Sequence, residues 1–162
     1  MPLGGVAVSS QIAEYFDEHL LSCGLTYSGH PLACAAGIAC VDYYSSANIL
    51  ENVSSSGKVL GDLLENLKAK HPCVGDTRYI GLFSCVELVK DKQTKEPLVP
   101  YGKDPEGTMG KIIGMLKERH FMTYSHENMI FVCPPLIITT GQLTEELEKL
   151  DEVLTIVDNK FI

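Results

Sequence analysis

No lysine or arginine occurs before Lys58: all 13 cations of this 162-residue chain lie from there onward. The first 57 residues carry only five acids, Glu14, Asp17, Glu18, Asp42 and Glu51. An almost uncharged first third followed by an amphipathic remainder predicts two parts that meet near residue 50, taken as 1–48 and 49–162.

The length suits one domain or two small lobes. Apolar residues at 45% and charged residues at 21% are enough for a packed core and too apolar for a disordered chain. No apolar run reaches the roughly 20 residues of a membrane span, so no membrane partner is expected. The start, Met1-Pro2-Leu3-Gly4-Gly5, lacks a basic-then-apolar signal pattern. A net charge of −8 disfavours nucleic acid, which is bound through many phosphate contacts. The six cysteines (23, 34, 40, 73, 85, 133) include no Cys-x-x-Cys pair; Cys34 and Cys40 sit in an Ala-rich apolar run, and Cys85 and Cys133 in apolar strand-like segments. They predict buried structural thiols in a reducing cytoplasm, with neither a disulfide framework nor a metal site.

Along the chain, Gly4–Val8 reads as a short buried strand. Ser9 or Ser10 caps a helix from Gln11 to about Leu21. Thr26-Tyr27-Ser28-Gly29-His30-Pro31 is a hydroxyl-rich loop, with Pro31 suited to the first turn of the next helix. That helix, Leu32 to about Tyr44, is nearly all small (Ala33, Cys34, Ala35, Ala36, Gly37, Ala39, Cys40) and is expected to be buried on several sides. After Asn48, Val59, Leu60, Leu63, Leu64 and Leu67 form an apolar stripe; Lys68, Lys70 and His71 suit the helix C-terminus, and Pro72 stops it. Val74–Val89 reads as strand, and Asp91–Gly107 as a long surface loop. Met109–Arg119 is a helix. Phe121–Thr123 and Met129–Cys133 are short strands around the Ser125–Asn128 turn. Thr139 and Gln142 form a capping box for a last helix whose stripe is Leu143, Leu147, Leu150, Val153, Leu154 and Val157. The second part is thus a small α+β domain.

Chemistry centres on the loop before Pro31. A helix N-terminus offers free N–H groups and a positive dipole end, a seat for phosphate, with Thr26 adding a hydroxyl. With no cation nearby in sequence, backbone and hydroxyl dipoles would have to hold the anion. Residue chemistry alone favours a plain turn into a helix. His30 as a general base lacks an acid on its own element, so a local hydrogen bond is the better expectation. His126-Glu127 reads as a solvated turn, Asp91–Glu96 as a solvated charge run, and Arg78 as one side of a structural ion pair.

Four segments shift this balance. Pro2-Leu3-Gly4-Gly5-Val6-Ala7-Val8-Ser9, then Thr26 through Ala36, resemble the stretch after the active-site lysine of class III (omega-amino acid) aminotransferases. Arg78-x-x-Gly81-Leu82-Phe83 with Glu87-Leu88-Val89 resembles a later family segment, and Pro134-Pro135-Leu136-Ile137-Ile138-Thr139 its C-terminal signature. The ordered set spans essentially the whole chain. Ser125–Asn128 and the Lys90–Tyr101 loop look most like the taurine– or beta-alanine–pyruvate branch.

The resemblance implies an α/β fold, the C-terminal part of a fold-type I transferase that uses pyridoxal 5'-phosphate. Residues 1–48 would be a remnant of the large cofactor-binding domain and 49–162 the small α+β domain. Members are dimers, so a homo-oligomer is expected; an amino donor and a keto acid are the small-molecule partners, and the missing N-terminal portion is a further partner. Thr26, helped by Tyr27 and Ser28, would bind the cofactor phosphate of the neighbouring subunit. The family's Schiff-base lysine lies before the Pro-Leu-Gly-Gly stretch, and Lys58 matches nothing catalytic. No catalytic residue is therefore assigned, and the chain, truncated naturally or by gene prediction, is expected to be inactive alone. No arginine near Tyr124 supplies an alpha-carboxylate clamp. The rival expectations are a non-catalytic, self-associating module built on the Leu32–Tyr44 helix, and a small phosphate-ligand binder.

Overall fold

The computed structural model describes residues 1–162 and divides into two units, Met1–Asn48 and Ile49–Ile162. The first is two helices with long connections. Helix α1 (Ser10–Glu18) starts where the Ser9 hydroxyl accepts the Ile12 N–H at 3.4 Å. It ends at Glu18, three residues before the expected end, with His19 extended. Helix α2 (Pro31–Ser46) has Pro31 in its first turn, where a missing N–H costs nothing.

Two expectations fail in this unit. Gly4–Val8 forms no strand; it has no ladder partner, and Val6 is 91% exposed. Small side chains do not bury α2 either: Ala33 is its one buried residue, and Ile38 and Val41 stand open. A smooth apolar helix becomes a core element only where another surface closes on it.

The second unit is built on a core. Helix α3 (Ile49–Lys70) turns Leu60, Leu64 and Leu67 inward and ends before Pro72. The stretch expected as one strand folds as an antiparallel hairpin, β1 (Val74–Ile80) and β2 (Phe83–Asp91). Gly81, at φ +55°, makes the turn, and its backbone passes so close to α3 that a Cβ on Gly57 would lie 2.8 Å from the Gly81 carbonyl oxygen. A two-residue strand, β3 (Glu96–Pro97), pairs with β2 inside the otherwise irregular loop.

Helix α4 (Thr108–Glu118) begins one residue earlier than expected because Asp104 accepts the N–H groups of Thr108 and Met109, at 2.7 and 2.9 Å. Phe121–Thr123 is not a strand; the pair is β4 (Ser125–His126) and β5 (Met129–Val132). Helix α5 (Thr140–Lys160) follows, with the Thr139–Gln142 capping box formed and all six stripe residues buried. The antiparallel sheet runs β1-β2-β5-β4, and β2 turns Ser84, Val86 and Leu88 to the core shared with α3, α4 and α5. Of the six cysteines, all free, only Cys73 is buried, so the expectation of buried thiols holds at one position. No helix is long and apolar enough to cross a membrane.

Candidate functional site

The loop before α2 is a pair of tight turns. The Ser28 N–H donates to the Leu25 carbonyl at 2.9 Å, and the Leu25 N–H donates to the Ser28 hydroxyl at 3.1 Å. The His30 N–H closes on the Tyr27 carbonyl at 3.2 Å, with Gly29 at φ +68° supplying the left-handed step. His30 then caps α2 through its own carbonyl, which accepts the Cys34 N–H at 2.9 Å; its side chain makes no cap bond. The helix opens on the N–H groups of Leu32 and Ala33, the donors a helix start leaves unpaired.

Tyr27, Ser28, Gly29 and His30 line a hollow of about 400 Å³ together with Met1–Gly4, Leu25 and Ala33. Thr26 is exposed and is not part of that lining. The His30 ring lies 6.1 Å from the Tyr27 ring, and its Nδ1 is buried without a hydrogen-bond partner. An orphaned ring nitrogen beside a helix start, with two hydroxyl residues and no acid between Leu20 and Val41, is chemistry suited to an anion such as a phosphate ester. His30 therefore does not make the local side-chain bond expected of it.

The other candidates are tied up in structure. Arg78 pairs with Asp76 at 3.0 Å and with Glu87 across the hairpin at 2.8 Å, and Glu87 raises its pKa. Lys68 at 2.9 Å holds the Asp76 carboxyl below its ordinary value. His126 and Glu127 form no acid–base pair: Glu127, at φ +50°, accepts the Gly102 N–H at 2.9 Å. Asp91 caps its own turn through the N–H groups of Gln93 and Thr94, so this part of the charge run is ordered.

Two arrangements escaped the sequence. Asn52 donates to the carbonyls of Leu136 and Ile138, at 2.8 and 3.1 Å, and so pins the turn after the Pro134-Pro135 pair to α3. His71, expected only to suit the helix dipole, is buried between Asp151 and Asp158. The sole sequence signal for the latter was that the two aspartates stand seven apart, on one helix face.

The sequence matches the family Aminotransferase class-III over residues 1–154, and the chain belongs to that family, whose members use pyridoxal phosphate. The taurine:2-oxoglutarate aminotransferase of Bifidobacterium kashiwanohense, solved with PLP and glutamate, is 48% identical, with a TM-score of 0.89 over 96% of this chain and 34% of that one. Taurine–pyruvate aminotransferase of Bilophila wadsworthia is 34% identical over 84% of this chain and 30% of its own length. Ethanolamine-phosphate phospho-lyase homolog 1 of Caenorhabditis elegans is 32% identical over 97% of this chain and 33% of its own length. The chain thus spans about a third of the length of these relatives.

Proposed function

We propose that this chain is the C-terminal part of a class III aminotransferase that moves an amino group from an omega-amino donor of the taurine type to a keto acid such as pyruvate. The carrying observation is the dipole-lined loop Thr26–His30 at the head of α2, in a chain 48% identical to an aminotransferase that bears taurine in its name. Residues 1–48 would belong to the large cofactor-binding domain and 49–162 to the small domain. Bound pyridoxal phosphate would supply an electron sink for amino transfer. Thr26, with the N–H groups and hydroxyls around Tyr27 and Ser28, would hold the phosphate of the cofactor in a neighbouring subunit of a homodimer. The His30 ring nitrogen would donate to the same anion or to its water shell. Backbone and hydroxyl donors alone can do this because helix dipoles favour an anion without a formal cation.

The first lysine of the chain, Lys58, is part of α3 and belongs to its structural helix. The amine that bonds the cofactor would therefore come from residues other than these 162. Six free thiols fit a reducing cytoplasm. Incubation with pyridoxal phosphate followed by borohydride should fix no pyridoxyl group on any particular lysine, and taurine with pyruvate should yield no alanine. One specifically labelled lysine overturns the inactivity. If the coding region upstream of Met1, joined in frame, restores a lysine-bearing segment, that longer protein should transaminate. Thr26→Ala in it should weaken cofactor retention about tenfold or more, the scale of one charge-assisted hydrogen bond. The open apolar face of α2 favours a second reading, a self-associating module without catalysis. A monomer on size-exclusion chromatography counts against it.

A further inference from the structure

Three ionisable side chains meet where the chain leaves α3 for β1. His71 is 1% exposed; its Nδ1 lies 2.6 Å from a carboxylate oxygen of Asp158 and its Nε2 3.0 Å from one of Asp151. The other Asp158 oxygen accepts the Cys73 N–H at 2.9 Å. Both oxygens of Asp151 face the Lys70 ammonium, at 2.7 and 2.5 Å.

A neutral imidazole presents one N–H and one lone pair, and an ionised carboxylate only accepts. With a carboxylate at each nitrogen, a neutral ring would set one lone pair against another, at a ring that is itself buried. One more proton removes that conflict, because both nitrogens then donate.

We propose that His71 stands in the folded chain as an imidazolium that donates one ring N–H to Asp151 and the other to Asp158, and so ties α3 to α5.

The charged and titratable groups around the ring are Asp151 and Asp158 from α5, Lys70 from α3, Cys73 at the entry to β1, and Lys92 beyond β2, whose ammonium donates to the Lys68 carbonyl. Burial pushes the Cys73 thiol far above its ordinary value, which keeps it neutral in mild alkali. Burial also opposes ionisation of the two aspartates. Hydrogen bonds from Cys73 and His71 to Asp158, and from Lys70 and His71 to Asp151, outweigh it and hold both carboxyls below their ordinary value. The ring is therefore the donor in both contacts.

The test is a nitrogen-15 spectrum of the folded 162-residue chain at about pH 7.5, recorded for the wild type and for Asp158→Asn. Both wild-type His71 ring nitrogens should show protonated shifts. Asp158→Asn keeps an oxygen for the Cys73 N–H and offers an amide to Nδ1, so a neutral ring fits, and one ring nitrogen should show an unprotonated shift. A neutral-ring spectrum of the wild-type chain, or two protonated nitrogens in Asp158→Asn, overturns the proposal.

Discussion

In residues 1–48 one side chain, Ala33, is buried, whereas from Ile49 onward every element except the two-residue β3 and β4 contributes buried side chains. Both parts have well-formed helices with legible starts, Ser9 and Pro31 in one, Thr139 in the other. The difference lies in what faces the apolar stripe. Leu154 is fully buried in a cluster that also holds residues of α3 and the sheet, while Val6, Leu20 and Leu25 are 91%, 88% and 82% exposed. Helix ends are local events, but burial requires a complementary surface. The first unit carries the helices without that surface.

The largest effect that separates the two parts is core truncation. Leu154→Ala should cost about 2–5 kcal/mol in denaturant unfolding. Leu25→Ala should stay within about 0.5 kcal/mol; an equal loss at both positions would erase the contrast. Next come the helical glycines. Gly57→Ala drives a Cβ to 2.8 Å from the Gly81 backbone and should destabilise by about 1–3 kcal/mol. Gly37→Ala meets only the movable end of Leu3 at 2.5 Å and should gain helix content in circular dichroism.

Capping should show the same division on a smaller scale. Thr139→Ala should cost about 0.5–2 kcal/mol, because α5 is bound into the core. Ser9→Ala should speed amide exchange in α1 and leave the unfolding midpoint in place. On the acid side, Asp151 and Asp158 have lowered values in the fold. Their stabilisation is therefore complete above the ordinary carboxyl value, about 3.9, and is lost as pH falls through the lower folded values. Acid unfolding followed by circular dichroism should begin below about pH 4, and Asp158→Asn should flatten that limb. Smallest is Arg78→Gln, which breaks exposed pairs and should change stability by less than about 1 kcal/mol.

The residues by themselves determined where most helices begin and which faces of α3 and α5 carry oil. Ser9, Pro31, Pro72 and the Thr139–Gln142 box act within one turn, and the α5 stripe repeats with the helix period, so a short window reads them. The ordered motifs from Pro2 to Thr139 were legible enough to point to the family. Tertiary structure alone decided that Val74–Val89 is a hairpin, because Gly81 turns where its backbone meets α3. It alone decided that α2 stays open, that Asn52 holds the Leu136–Ile138 turn, and that His71 meets Asp158 across 87 positions of sequence. Capping and periodicity are local in the chain; burial and ion pairing depend on which distant segments collapse together, and no short window contains both partners.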